Sequence, residues 1–303
     1  TMSAEPGRVR LAESFALRWD AVHVDLRRAH AEFALRADIE PFSLPPLLRR
    51  LQPNIGWQGD LRLAAKVDVR AAERFEADLV VQRQDGDLHV ETQGELQLLG
   101  LTDFRLQLKA RDGLWDFEPV FTGRGLGEIR GRLRVRTTPE RRWPHDDAPI
   151  EGQIQARVPD IGIWSHWVPP GWRLTGELST TAQVGGRFAA PTYTGELSGK
   201  GLGVRNLLQG VNVGDGRLLV RLDGTRAQIE TFTLRGGDGR ASVTGSAELG
   251  AQPSARLKLE ADKFRVLGRV DRMLTTSGQA ELVLAAETSR LEGRFRIDEG
   301  LFD

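Results

Sequence analysis

The sequence predicts an all-β protein, and three features predict it. Apolar and polar residues alternate with a period of two along most of the chain, glycines recur beside those alternations, and almost no segment carries a helical period. In Leu174–Val184 one parity holds Leu174, Gly176, Leu178, Thr180, Ala182 and Val184, and the other holds Thr175, Glu177, Ser179, Thr181 and Gln183. A strand so written has one apolar face and one wet face. The pattern recurs at Leu61/Leu63/Ala65/Val67/Val69, Phe104/Leu106/Leu108/Ala110, Ile150/Gly152/Ile154/Ala156/Val158, Leu257/Leu259/Ala261 and Leu291/Gly293/Phe295/Ile297. Helix is expected only in two short pieces bounded by prolines, 43–52 and 162–168. The proline- and charge-rich stretch 137–149 reads as a loop or insert, and the rest of 1–303 as one continuous elongated β section.

A shared phrase of glycine, polar, apolar, polar, apolar is expected to open many strands. It appears at Gly59, Gly94, Gly131 and Gly152, and again at Gly176, Gly195, Gly278 and Gly293. A longer echo links Leu51–Leu61 with Val168–Leu178, each following one of the helical pieces. This is an irregular internal repeat, and its uneven spacing predicts turns of unequal length.

Composition narrows the function. The chain has 303 residues, enough for two compact domains or one elongated one. Lys plus Arg and Asp plus Glu both number 42, so no net field exists to recruit nucleic acid. The absence of cysteine removes disulfides and thiolate chemistry, and fits a reducing or an oxidising compartment equally. No run approaches the roughly 18 apolar residues of a membrane span, and Thr1-Met2-Ser3 opens no signal peptide. The abrupt end after a strand pattern, at Gly300–Asp303, suggests a fragment whose targeting segment lies elsewhere.

Enzymatic signatures are missing, so the chain is expected not to be an enzyme and to need neither metal nor cofactor. There is no G-x-S-x-G, and none of His23, His30, His89, His145 and His166 belongs to an H-E-x-x-H. Gly195-Glu-Leu-Ser-Gly-Lys-Gly201 lacks the spacing of a phosphate loop and reads as a turn. His145-Asp146-Asp147 reads as a solvated loop, and Gly123–Gly127 as a tight strand connection.

The energetic question is what covers the apolar faces. Too little helix exists to shield them, so the sheet either closes as a sandwich, barrel or solenoid, or curls into a trough with an apolar interior. A trough would expose far more apolar surface than soluble monomers usually show and would hold a lipid-like ligand. The residues placed on that face are Leu61, Leu63, Val67, Phe104, Leu106, Leu108, Leu133, Val135, Ile154, Leu174, Leu178 and Val184 in the first part of the chain. Leu197, Leu218, Val220, Leu222, Leu257, Leu259, Leu282, Leu284, Phe295 and Ile297 continue it. Trp57, Trp164, Trp167 and Trp172 are candidates for a rim or gate, since tryptophan suits apolar–polar boundaries, although plugging a strand edge is the plainer role.

Several phrases carry a family resemblance: Val184–Leu197, Gly214-Asp-Gly-Arg-Leu218, Leu234–Leu249, Ala261–Leu267 and Arg296–Phe302. Taken in order, they resemble the TamB family, the inner-membrane subunit of the translocation and assembly module, itself similar to AsmA-like and bridge-like lipid-transfer proteins. The similarity is densest from about residue 150 onward. The resemblance implies a β-taco, a long sheet curved into a U, polar outside and apolar inside, and it favours the trough. It also implies a periplasmic section of a lipid conduit carrying phospholipid or another acyl-chain ligand. The inner-membrane anchor and the region meeting an outer-membrane Omp85-type barrel (TamA-like) would then lie outside this chain. It offers no catalytic residue to carry over. A role in assembling outer-membrane proteins and a closed β-solenoid binding protein are the alternatives.

Overall fold

A computed structural model describes residues 2–12, 15–25, 32–51, 57–72, 74–92, 95–250, 252–285 and 288–303. Strand accounts for 76 % and helix for 4 % of it, so the all-β expectation holds and helix cannot cover the sheets. The chain divides into two compact units, 1–154 with 184–189, and 155–183 with 190–303.

The first unit holds β1 (Met2–Ala4), β2 (Gly7–Ala12), β3 (Phe15–Asp25), β4 (Glu32–Ser43), α1 (Pro45–Leu51), β5 (Trp57–Gly59) and β6 (Arg62–Ala71). It continues through β7 (Phe75–Asp85), β8 (Leu88–Thr92), β9 (Glu95–Leu98), β10 (Leu101–Arg111), β11 (Leu114–Gly123) and β12 (Gly127–Arg136). β1 and β2 both pair with β3, and from there the antiparallel order is β3, β4, β6, β7, β10, β11, β12. A separate small sheet is formed by β5, β8 and β9. α1 opens on Pro45-Pro46, where the missing N–H groups cost nothing, and ends on Arg49 and Arg50, which complement the helix dipole.

β13 (Ile150–Val158) and β14 (Arg173–Arg187) contain the division between the units, and a 3-10 turn spans Ile161–Trp167. The second unit continues with β15 (Ala190–Asn206), β16 (Val211–Gly224), β17 (Arg226–Gly236), β18 (Gly239–Glu248), β19 (Ser254–Gly268), β20 (Arg272–Leu284) and β21 (Ser289–Phe302). Each of these seven is antiparallel to the next. Among the described residues β21 pairs with β20 alone, so this sheet is open, not closed into a barrel or solenoid.

Two local expectations are corrected. Most of the glycine-led phrases do not open strands: Gly131, Gly152, Gly176, Gly195, Gly278 and Gly293 all sit inside one and Gly59 ends β5, while Gly94 lies outside the described residues and β9 follows it from Glu95. Gly195–Gly201 is accordingly the interior of β15 and not a turn. The physical reason is close backbone approach. At Gly195 φ is +152° and a Cβ would lie 2.2 Å from the Thr181 carbonyl oxygen, while at Gly245 φ is +138° and a Cβ would lie 2.1 Å from that of Arg256. Glycine lets a long strand bend there without losing its ladder. Gly245→Val should therefore destabilise the second unit by about 1–3 kcal/mol, seen as a lower urea midpoint. Gly250→Ala, where nothing lies within 4 Å of the added methyl, should leave it nearly unchanged.

Stretch 137–149 has no regular strand but is firmly tied down. Thr137 N–H donates to the Gly113 carbonyl at 2.7 Å, and an Arg142 guanidinium N–H donates to that of Ala72 at 3.1 Å. Phe188 and Ala189, at the tip of the β14–β15 hairpin, donate to the carbonyls of Ala148 and Asp146 at 2.9 and 3.0 Å.

Candidate functional site

Strand register converts the sequence alternation into two continuous faces in each unit. In the first unit, Ala37, Val67, Leu79, Leu108, Phe117 and Leu133 stand directly opposite one another from β4 to β12. Leu35, Val69, Ala77, Ala110, Trp115 and Val135 form the next row on that face, and Ile39, Ala65, Val81, Leu106 and Pro119 a third. Paired residues of an antiparallel ladder point to the same side, so the rows make one uninterrupted apolar surface.

Burial along that surface is uneven. Ala77, Ala110, Trp115, Val135 and Ala148 are at most 8 % exposed, clustered with Phe75 beside the 137–149 loop. Trp115 stacks on Phe75 at 5.4 Å and meets Trp143 at 5.2 Å, and its Nε1–H donates to the Arg142 carbonyl at 3.0 Å. At the opposite ends of β6 and β10, where the small sheet joins, Leu61, Leu63, Leu88, Val90 and Leu99 are 2 % exposed or less. Between these two plugs Val67, Leu79, Leu108, Phe117 and Leu133 stay half-buried, keeping contact with solvent. That is intermediate between a closed core and a free surface.

The reverse face is ionic. Arg36, Asp68, Asp78, Lys109, Asp116 and Arg134 form one cross-strand row, with ion pairs of 2.9 Å for Arg36–Asp68 and 2.7 Å for Arg134–Asp116. The hydrogen bond to Asp116 pushes the Arg134 guanidinium further up from its ordinary pKa. Exposed pairs of this kind add little stability, but they mark the face that stays in water.

The second unit repeats the arrangement. Leu197, Val220, Ile229, Gly245, Leu257, Leu282 and Leu291 form one row from β15 to β21. Leu259, Ala280 and Gly293 lie in the neighbouring row. On the opposite parity Asp298 is held below the usual carboxylate range by the Ser277 hydroxyl first, then by Arg296.

The remaining expected lining residues fall as follows. Phe104 faces Phe121 with ring centres 4.8 Å apart, Ile154, Leu174 and Leu178 are half-buried, and Val184 is 6 % exposed. Leu218 and Leu222 stand opposite Gly199 and Gly195, while Leu284, Phe295 and Ile297 are exposed opposite Ala255, Gly278 and Thr276. Trp57 is half-buried in the small sheet, opposite Val90. Trp164 and Trp172 are half-buried in the second unit, and the side chain of Trp167 lies outside the described residues. The aromatic cluster Phe75–Trp115–Trp143 was not singled out by the sequence, although the odd parity of Phe75 and Trp115 in apolar strands pointed inward.

Against this geometry stands one family match. The profile described as "TamB, N-terminal domain" matches residues 27–198, more than half of the chain. The chain belongs to the TamB family. The match begins well before residue 150, from which the sequence resemblance is densest, and the two overlap through β13 and β14. No curated protein and no solved structure matches the chain at a significant level. TamB proteins form a non-enzymatic transport and assembly module. The two-faced sheet of this TamB chain contains no group of three or more metal-binding side chains among the described residues.

Proposed function

We propose that this protein is a section of a periplasmic lipid-transfer conduit in which the apolar face carries phospholipid acyl chains between the inner and outer membranes. The observation that carries the reading is the half-buried row Val67–Leu79–Leu108–Phe117–Leu133, apolar across five strands and uncovered by helix. A face curled around an acyl chain spares roughly 0.8 kcal/mol per CH₂ relative to water, while the headgroup stays hydrated at an open edge. No covalent chemistry is needed. Membership of the TamB family supports the periplasmic setting, anchoring at the inner membrane and an Omp85-type outer-membrane partner.

A photo-crosslinking amino acid placed in turn at Leu108, Lys109, Leu257 and Lys258 tests it, because each pair of neighbours occupies opposite faces. Phospholipid adducts should form at Leu108 and Leu257 and not at the lysines, and Leu282→Asp should sharply reduce the yield at Leu257, its neighbour on the same row. Adducts of equal yield on both faces, or none, overturn the conduit. Membership of the TamB family also fits a second reading, assembly of outer-membrane proteins, and adducts to polypeptide in place of lipid would select it.

A further inference from the structure

The wet face of the second unit is not balanced in the way that of the first is. A concavity of about 1050 Å³ opens there across β15, β16, β17 and β18, lined by Lys200, Arg217, Arg235 and Arg240 against a single carboxylate, Asp215. Register makes the imbalance sharper. Lys200 stands directly opposite Arg217 in the β15–β16 ladder, and Arg235 directly opposite Arg240 in the β17–β18 ladder, so the concavity holds two like-charge pairs. Pairs of this kind disfavour the sheet that contains them.

None of the four cations has a carboxylate within 4.0 Å among the described residues, although ion pairs are frequent elsewhere on the wet faces. The comparable concavity of the first unit, about 450 Å³, has Arg36, Lys66, Arg70 and Arg111 against Asp20, Asp38, Asp68, Glu76 and Asp78. There Arg36 and Arg70 are paired with Asp68, and Arg111 donates to the carbonyls of Ala77 and Ala110. On the next strand, β19, Asp262 stands opposite Arg240 and Glu260 opposite Ser242.

We propose that this concavity binds a phosphate-bearing anion, with Lys200, Arg217, Arg235 and Arg240 supplying the charge and Thr233 a hydroxyl. Three guanidinium groups offer planar, bidentate donors that match phosphate oxygens, and the lysine adds a mobile point charge. Four strands about 4.8 Å apart spread the cations over roughly 14 Å, which suits an ion with several charges better than a monocarboxylate. The phosphate can come from a lipid headgroup at a membrane surface or from a soluble phosphoanion. The site lies on the face opposite the apolar rows, so it does not depend on acyl chains being carried there.

Sodium tripolyphosphate, which has no acyl chain, is the first probe, titrated into the 303-residue chain by calorimetry at low ionic strength. Binding should weaken at least tenfold in Arg235→Ala/Arg240→Ala and in Lys200→Ala/Arg217→Ala, and stay unchanged in Arg18→Ala/Arg62→Ala on the first unit. Both site variants should melt no lower than the wild type without ligand, since each relieves a like-charge pair, which separates lost binding from lost folding. Vesicles containing phosphatidylglycerol, compared with phosphatidylcholine alone, distinguish the source. Vesicle binding that needs the same four residues assigns the lipid headgroup, and tripolyphosphate binding without it assigns a soluble phosphoanion. Binding of neither probe, or binding that survives both double variants, overturns the proposal.

Discussion

Replacing Trp115 by alanine is expected to destabilise the first unit by about 3–5 kcal/mol, the cost of emptying a site built for a large aromatic. Trp115 is only 6 % exposed, is stacked on Phe75 and donates its indole N–H to the Arg142 carbonyl. The substitution removes the ring and the donor together, and it leaves Trp143 without one of its two aromatic neighbours. In a unit of this size the loss corresponds to a fall in Tm on the order of 10 °C. It should also free the 137–149 loop, so trypsin should cut after Arg141 and Arg142 faster at temperatures where the strands persist.

The informative comparison is Trp143→Ala. Trp143 is 65 % exposed, so its removal forfeits ring contact and little burial, an expected cost of about 0.5–1.5 kcal/mol. If the two variants cost the same, the loop is held by the aromatic cluster as a unit. If Trp115→Ala costs several-fold more, its packing inside the sheet dominates and Trp143 is a cover that leaves easily. The second result would make the loop a movable plug at one end of the apolar rows, where the strands are otherwise half open.

What could be read in the sequence was whatever repeats along one strand. The parity of Leu106 and Leu108 against Gln107 and Lys109 placed them on opposite faces, and the register of β10 with β7 and β11 keeps them there. Glycine was misread because its two uses look alike in one dimension. A Gly that begins a strand and a Gly whose added Cβ would lie 2.2 Å from a neighbouring carbonyl oxygen, as at Gly195, sit in the same phrase, and only cross-strand partners distinguish them. Parity also fails across bulges. The register of β4 with β6 shifts between Ile39 and Phe42, and that of β17 with β16 shifts beside Ile229, so alternation alone predicts the wrong face beyond those points. The paired like charges of β15 to β18 were equally hidden, since Lys200, Arg217, Arg235 and Arg240 each look like ordinary wet positions until the ladders bring them opposite one another.

Asp87 is another residue that no sequence pattern singles out, since neither strand alternation nor a known motif includes it. Its carboxylate takes three backbone N–H groups: Oδ1 accepts from Leu88 at 2.8 Å and from Leu101 at 3.0 Å, and Oδ2 from Gly100 at 2.9 Å. Its own N–H donates to Asp60 Oδ1 at 2.9 Å, and its carbonyl accepts from Asp60 and Leu61 at 3.1 Å. One residue thus joins three connections, those into β6, β8 and β10, at the end of the apolar face where Leu61, Leu88 and Leu99 are buried. Asp87→Ala strands three amide donors in a partly buried place, and the expected loss is about 3 kcal/mol. Asp60→Ala removes one acceptor at an exposed position and should cost about 1 kcal/mol. Asp87→Asn separates charge from geometry: it keeps the side-chain length but turns one of the two oxygens into a donor facing the Gly100 N–H. If the Asn variant behaves like Ala, with faster amide exchange at Gly100 and Leu101, the carboxylate fastens the small sheet over that end of the rows. If it is as stable as wild type, water serves those amides equally well and the buried leucines hold the closure by themselves.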